Sequence, residues 1–135
     1  MRYLLDTSAL IAHHRREAGA DEVQALFADE DAEIYISSVS LAEFGRRLRE
    51  FKHNREETQD VLRDYGLLVT EIVGVDAKIA MLALSLSEAS LGRVPLIDTL
   101  ITACAASVSA TLVHRDKHMA GLPVTQMFLS QKAKN

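Results

Sequence analysis

The sequence has only one cysteine and two prolines in 135 residues, and each shortage limits what the chain can be. The lone Cys104 cannot form a disulfide within the chain, which fits a reducing compartment. It lies in an apolar, alanine-rich stretch, so we expect a small buried core residue. The prolines fall at boundaries of predicted elements, and the sequence contains no linker, repeat or low-complexity tract. We therefore expect a single domain over residues 1–130 and a frayed tail over 131–135.

The sequence also lacks a basic excess and a long apolar run. It has 15 Lys and Arg against 19 Asp and Glu, a net charge of −4, whereas a dedicated nucleic-acid-binding domain usually carries a basic surplus. A metal-dependent nuclease remains open, because bound cations invert the local charge. Asp6 interrupts the apolar N-terminal run, and Asp76, Lys78 and Glu88 interrupt the apolar stretch 75–91. We therefore expect no signal peptide, no membrane association and a cytoplasmic location.

Short apolar strands alternate with amphipathic helices along the chain, which predicts an α/β fold with a parallel sheet and right-handed crossovers. Functional groups on such a sheet gather at the carboxyl ends of its strands. The predicted strands cover residues 2–5, 34–36, 67–73, 111–113 and 124–128. The predicted helices cover residues 8–16, a short segment from 21, 40–52, 54–66, a long segment after 76, and 95–108.

Four acidic residues lie where predicted strands lead into helices or turns. Asp6 and Asp116 follow strands, and we expect Glu43 and Asp98 in the first turns of helices. All four can therefore reach one edge of the sheet. Asp6 and Asp98 follow apolar residues at the border of the core, where a charged carboxylate is costly unless compensated. No Lys or Arg in 95–108 can neutralise Asp98. Oxygen ligands without His or Cys suit Mg²⁺ or Mn²⁺.

Each acid alone also has an ordinary structural interpretation. Asp6 can cap the helix that follows it, and Asp98 in a first helical turn complements the helix dipole. Glu43 stands in a Ser-x-x-Glu pattern typical of a capping box, and four residues before Arg47, the spacing of a helix ion pair. Asp116 can form an Asx turn. The joint placement of the four acids, rather than any single one, favours a metal site.

Polar neighbours of the acids can support the same site. The hydroxyls of Thr7, Ser8 and Thr99 can orient carboxylates or metal-bound waters, or else serve only as helix-start hydroxyls. Arg46 and Arg47 follow Glu43 by three and four residues on the same helix face, where they can bind RNA phosphates, or form a solvated face. The opposite face is an apolar stripe that is either core or an interface. The stripe consists of Leu41, Phe44, Leu48 and Phe51.

Four segments carry a family resemblance: YLLDTSALIA, ISSVSLAEF, VPLIDTLITACA, and TLVHRDKHM followed by LPVTQMF. In content, order and spacing they resemble the PIN-domain family, and within it the small VapC-like toxin ribonucleases of type II toxin–antitoxin systems. The resemblance covers nearly the whole chain. It implies a three-layer α/β/α sandwich with a central, mainly parallel sheet. It also implies hydrolysis of RNA phosphodiester bonds with Mg²⁺ or Mn²⁺ as cofactor. It places the catalytic quartet on Asp6, Glu43, Asp98 and Asp116, with Asp6, Asp98 and Asp116 as metal ligands.

The resemblance also implies partners and exposes two departures. VapC-like proteins usually form homodimers and are inhibited by a cognate small antitoxin that covers the acidic site. Many members have Thr or Ser two residues before the last acid, where this chain has His114, which can still hydrogen-bond near the metal. Many have an aromatic residue where this chain has Met119. The acidic quartet itself is intact.

Other functions remain open on the sequence. The chain could be a PIN-fold RNA-processing nuclease without a toxin role, or a non-catalytic α/β binding module. A receiver-type signalling domain needs a phosphoacceptor Asp after a middle strand, but here the second strand ends in Ser37-Ser38. A haloacid-dehalogenase phosphatase needs an Asp-x-Asp pair, which Asp6 lacks. Stabilisation by Mg²⁺ separates a metal site from a binding module.

Overall fold

The computed structural model describes residues 1–131 and contains one sheet. Its strands are β1 (Arg2–Leu5), β2 (Glu33–Ser37), β3 (Glu71–Val73), β4 (Thr111–His114) and β5 (Gln126–Phe128). Its helices are α1 (Thr7–Arg15), α2 (Ala20–Ala28), α3 (Ser38–Glu50), α4 (Arg55–Leu68), α5 (Ala77–Ala89) and α6 (Leu96–Ser107). The sheet order is β3-β2-β1-β4-β5 and every pairing is parallel. The predicted α/β class is confirmed.

Alternating side chains on the strands divide the core into two layers. Leu4 and Leu112 point into a cluster built with α5 and α6. Their neighbours Leu5 and Val113 point into a second cluster, built with α1 to α4 on the other face. Parallel strands covered by helices on both faces are largely buried and apolar. Here β1, β2 and β4 are mostly buried, whereas the edge strands β3 and β5 are more exposed. The result is the three-layer α/β/α sandwich that the resemblance implied.

Helix starts follow local capping chemistry. Asp6, Asn54 and Asp76 each accept a hydrogen bond from a backbone N–H of the helix that follows. Asn54 and Glu57 complete a capping box at α4. The Ser-x-x-Glu pattern ending at Glu43 does not form one: α3 starts two residues earlier than predicted, because Ser37 takes the cap position. Glu43 therefore lies in the second turn of α3 rather than the first.

The third strand is shorter than predicted. Helix α4 continues through Leu68, and β3 covers only Glu71–Val73 at the edge of the sheet. Leu67 and Leu68 are exposed in the last turn of α4. An apolar pair at a helix end is not distinguished from the start of a strand by hydrophobicity alone, which explains the error.

The apolar stripe of α3 belongs to the core of this chain. Phe44 and Leu48 are fully buried, and Leu41 and Phe51 pack against the same cluster. Cys104 is buried and free, as expected. No helix within residues 1–131 is long and apolar enough to cross a membrane.

The predicted frayed tail falls almost entirely outside the described residues, which end at 131. Gln131 itself is tied down, because its side-chain amide donates hydrogen bonds to the carbonyls of Arg115 and Leu129. Residues 132–135 lie beyond the described part of the chain.

Candidate active site

The strand order reverses at β1, and this reversal sets the position of the site. The chain adds β2 and β3 on one side of β1 and then crosses from β3 to β4 on the other side, so a crevice opens at the carboxyl end of β1. Asp6 is the first residue after β1, and its backbone N–H donates to the carbonyl of Val113 in β4. Asp116 follows β4 by two residues. Helix α6 ends beside the amino end of β4, so its first turn, with Asp98, lies at the carboxyl edge.

The four predicted acids meet in one open cleft of about 370 Å³. Glu43 reaches the cleft from α3, whose start follows β2 at the same edge. Two predicted phosphate-binding arginines lie on its rim. The cleft is lined by Asp6, Thr7, Ser8, Ile11, Glu43, Arg46, Arg47, Glu50, Asp98, Ile101 and Asp116.

Asp6 is both a helix cap and a buried carboxylate. It is 4% exposed, and its Oδ1 accepts hydrogen bonds from Ser8 Oγ at 2.7 Å and from the backbone N–H of Ala9 at 2.9 Å. Burial raises the pKa of Asp6 to about 7, these two bonds oppose the rise, and the charges of Asp98 and Asp116 add to it. The cap and the metal-site interpretations of Asp6 are therefore compatible.

Asp98 lies within the electrostatic reach of the other acids. Its pKa rises to about 6, first through burial and then through the charges of Asp116 and Glu43, while His118 opposes the rise. Within residues 1–131, no Lys or Arg forms an ion pair with any of the four acids. The acids thus repel one another across the cleft, and none of them is paired with a Lys or Arg within the described residues.

Glu43 does not form the helix ion pair with Arg47 that its spacing allowed. Glu43 accepts a hydrogen bond of 2.6 Å from Thr7 Oγ1. Arg47 pairs with Glu50 instead of Glu43 and stacks over Phe51, 4.8 Å from its ring centroid. Arg46 is exposed and makes no ion pair or hydrogen bond within the described chain. It is the cation on the rim that is free to bind a ligand.

The remaining predicted polar residues contact different parts of the site. Ser8 donates to Asp6, as its placement suggested. Thr99 is buried and donates to the carbonyl of Pro95, so it supports the start of α6 and does not line the cleft. His114 is fully buried, and its Nδ1 accepts the backbone N–H of Asp116 at 3.1 Å.

Sequence reasoning missed His118 and Glu50. His118 Nε2 lies 3.8 Å from Asp116 Oδ1, and its charge affects Asp98. Glu50 lines the cleft as the partner of Arg47. The seven-residue interval from Glu43 to Glu50 places both on one helix face and could have indicated the second carboxylate.

The donor set suits a hard divalent cation. Both hydrogen bonds to Asp6 fall on Oδ1, and within residues 1–131 no hydrogen bond to its Oδ2 is present. Carboxylate oxygens are the ligands of Mg²⁺ and Mn²⁺. As the side chains stand, no three His, Cys, Asp or Glu residues of the described chain are close enough together to hold a metal ion. Mutual repulsion separates carboxylates, and a cation between them would reverse it.

The family model described as "PIN domain" matches residues 3–124. The chain belongs to the PIN-domain family. The match covers all four acids, and it assigns the chain to a family of nucleases that are generally dependent on divalent metal ions. No curated protein sequence matches the chain.

Solved structures similar to this PIN domain include toxin–antitoxin complexes. VapBC2 from Rickettsia felis, bound to a DNA fragment from its promoter, has a TM-score of 0.71 at 23% identity, covering 96% of this chain and 100% of that one. A toxin–antitoxin complex from Klebsiella pneumoniae has a TM-score of 0.70 at 24% identity, covering 90% of this chain and 92% of that one. VapBC-1 from nontypeable Haemophilus influenzae has a TM-score of 0.70 at 19% identity, covering 95% of this chain and 98% of that one. At these identities the likeness shows the fold alone.

Proposed function

We propose that this PIN domain is a metal-dependent ribonuclease that hydrolyses RNA phosphodiester bonds. The observation that carries the proposal is the cleft in which Asp6, Glu43, Asp98 and Asp116 meet without a paired Lys or Arg. Burial and like charge raise the pKa of Asp6 to about 7 and that of Asp98 to about 6. Carboxylates perturbed in this way in a cleft are typical of functional sites.

Three of the acids, Asp6, Asp98 and Asp116, would hold Mg²⁺ or Mn²⁺. Each comes from a different loop or helix start, and Asp6 would offer Oδ2 to the ion while Oδ1 keeps its bonds to Ser8 and Ala9. When bound, a divalent ion acidifies a water molecule and stabilises the charge that develops on the phosphate. The family's metal dependence and the oxygen-only donor set support this assignment.

The other cleft residues would position the substrate and the water. Thr7 holds the Glu43 carboxylate by a charge-assisted hydrogen bond, so that Glu43 can orient the attacking water or add a ligand to the ion. Arg46 lies on the rim beside Glu43 without an ion pair in the described chain and would bind an RNA phosphate. Arg47 would bind a second phosphate on leaving its ion pair with Glu50. Phosphate contacts fix register and carry no base specificity.

The partners we propose are a small antitoxin and a second copy of the chain. The structural neighbours described as VapBC toxin–antitoxin complexes support a toxin role with a cognate antitoxin. The acidic cleft is the surface that an antitoxin would cover, and a basic side chain inserted there would neutralise the unpaired carboxylates. Exposed Met81 and Leu84 on α5 support a homodimer.

Cleavage of a single-stranded RNA oligonucleotide tests the proposed activity. Purified wild-type protein should cleave with Mg²⁺ or Mn²⁺ and not with EDTA. Asp6→Asn and Asp98→Asn should each lower the rate by at least about 10²-fold, since electrostatic stabilisation of that order is lost. The matched control is Asp76→Asn, because Asp76 also caps a helix but does not line the cleft. Full metal-dependent cleavage by Asp6→Asn would refute the assignment.

Expression in a host cell tests the toxin role separately. Wild-type protein should arrest growth, and Asp98→Asn should not, when both accumulate to the same level. Growth arrest should be relieved by the cognate antitoxin. Active ribonuclease that leaves growth unchanged would instead indicate RNA processing without toxicity.

A further inference from the structure

Two side chains from different elements hold the segment that carries Asp116. The backbone N–H of Arg115 donates to Ser8 Oγ at 3.1 Å, and the next N–H, of Asp116, donates to His114 Nδ1 at 3.1 Å. The same Ser8 hydroxyl donates its own proton to Asp6 Oδ1 at 2.7 Å. A single hydroxyl therefore joins the first acid of the cleft to the backbone that precedes the last.

The hydrogen bonds also assign the tautomer of His114. Because Nδ1 accepts the N–H of Asp116, the proton lies on Nε2, which donates to Gln126 Oε1 at 2.7 Å. The Gln126 amide then donates to the carbonyl of Leu122 at 3.0 Å. The imidazole is fully buried, edge-on to Phe128 with centroids 4.8 Å apart. Rotating the His114 ring would leave its two buried nitrogens without hydrogen-bond partners, and this energetic cost keeps the ring in its present orientation.

We propose that Ser8 and His114 are positioning residues that together set the spacing between Asp6 and Asp116 and thereby the affinity of the cleft for its divalent ion. The inference rests on the proposed function, because it assumes that these two acids share an ion. Asp6 and Asp116 stand on separate loops after neighbouring strands. Ser8 ties the Asp116 loop to the start of α1, and His114 links it through Gln126 to β5. We call this pair of residues the clamp.

A histidine fits this position because it can accept the Asp116 N–H on one side and donate to Gln126 on the other. A Ser or Thr hydroxyl could accept the Asp116 N–H but would be too short to reach Gln126 as well. The imidazole presents one acceptor and one donor on opposite sides of a rigid ring. Where many family members have a small hydroxyl, this chain has His114, which adds a hydrogen bond to Gln126 in the edge strand β5.

Two amide substitutions at this position separate positioning from packing. His114→Asn places an oxygen near the position of Nδ1 and keeps an acceptor for Asp116, but it does not reach Gln126. His114→Gln reaches Gln126 and loses the acceptor near Asp116. Both variants lose the ring contact with Phe128, so both should lower the melting temperature. A purely structural role would therefore affect the two variants alike.

The measurement is Mg²⁺ and Mn²⁺ affinity without RNA, by calorimetric titration. His114→Gln and Ser8→Ala should weaken binding by about 10- to 100-fold, the usual cost of losing a group that orients a metal ligand, whereas His114→Asn should stay within about threefold of wild type. His13→Asn is the matched control, since His13 also makes two side-chain hydrogen bonds, to Tyr65 and Gln24, outside the cleft. It should bind like wild type.

Amide hydrogen exchange in the metal-free protein gives a second readout. Ser8→Ala should speed exchange at Arg115, and His114→Gln should speed it at Asp116, while His114→Asn should retain protection at Asp116. Equal metal affinities or equal Asp116 exchange in the two His114 variants would overturn the clamp. Wild-type protein that binds neither ion would overturn the proposed function, and the exchange data would then decide the clamp on their own.

Discussion

At the scale of single residues, Asp6 joins two demands that oppose each other. As the cap of α1 it satisfies a backbone donor, which stabilises the helix by about 1 kcal/mol. As a buried acid next to Asp98 and Asp116 it is costly in its charged form. Folding therefore places a carboxylate where only a proton or a cation relieves it. This conflict is typical of sites where function has been favoured over stability.

The raised pKa values of Asp6 and Asp98 predict a pH-dependent stability. Both groups bind their protons more tightly in the folded chain, with pKa values of about 7 for Asp6 and about 6 for Asp98 against the ordinary aspartate value of 3.8. Their stabilising contribution is therefore complete below about pH 3.8 and is lost as the pH rises through 6 to 7. The melting temperature in EDTA should fall between pH 5 and 8, and saturating Mg²⁺ should reduce the fall.

Substitution of Asp98 tests whether the raised pKa values cause the fall in melting temperature between pH 5 and 8, which we call the pH slope. Asp98→Asn should flatten it and raise the melting temperature at pH 8 in EDTA by a few degrees, because about 1 kcal/mol corresponds to about 3–5 °C in a domain of this size. The control Asp76→Asn should keep the wild-type slope. An unchanged slope in Asp98→Asn would show that other groups determine the pH dependence.

At the scale of elements, the loops that precede α6 and β5 depend on one close approach between their backbones. The N–H of Leu91, in the loop before α6, donates to the carbonyl of Gly121, in the loop before β5. A Cβ on Gly121 would lie 2.5 Å from the carbonyl oxygen of Leu91. Only glycine allows this backbone contact. It braces the loop that leads into the helix carrying Asp98.

Gly121→Ala should therefore displace the loop before α6 and destabilise the fold by about 1–3 kcal/mol, the usual cost of overpacking. Gly74→Ala is the matched control, because a Cβ there meets nothing within 4 Å and should be neutral or slightly stabilising. Chemical unfolding measures both effects. Equal stability of the two variants would show that the Leu91 loop yields without cost.

The start of α3 shows how a single cap can change an element without changing the site. Ser37 takes the cap position, so α3 begins at Ser38 and Glu43 moves from the first turn to the second. Glu43 still reaches the cleft because the helix period places it on the same face as Arg46 and Arg47. The face of a helix is therefore predicted more reliably than its boundary.

At the scale of the whole molecule, the exposed face of α5 is the surface on which we expect a second copy to pack. Met81 and Leu84 are 62% and 53% exposed on this face. Lys78 and Glu88 lie near opposite ends of the helix, so an antiparallel pair of α5 helices would set each lysine beside the glutamate of the other copy. Self-complementary patches of this kind are what a two-fold dimer requires.

Leu84→Glu should convert the dimer to a monomer by placing a charge in the apolar centre of this surface. Light scattering after size-exclusion chromatography measures the mass. Leu67→Glu is the matched control, since Leu67 is 80% exposed on α4 and should leave the dimer intact. A monomeric wild-type protein, or a dimer unaffected by Leu84→Glu, would contradict this interface.

Most of the fold could be predicted because its signals are local. The limits of β1 match the prediction, and α4 and α5 begin within one residue of their predicted starts, where Asn54 and Asp76 cap them. The errors fall where two local patterns compete, at the overlapping caps before α3 and at the apolar pair that ends α4. Strand and helix pattern predicted that the four acids lie at one edge of the sheet, and in the structure all four line one cleft. Their catalytic roles, which the family resemblance implied, stay a prediction. The missed His118 has no distinguishing pattern of its own.

By itself, the sequence determined the alternation of strands and helices, the caps, and the acids that follow them, because each depends on neighbours within a few positions. Only the tertiary structure decided how far each acid is buried, which partner Arg47 takes, and that Ser8 and His114 hold the backbone beside Asp116. Burial and pairing depend on elements that are distant in sequence and adjacent in space. The reversal of strand order at β1 brings those elements together, and it gives the four carboxylates a common cleft.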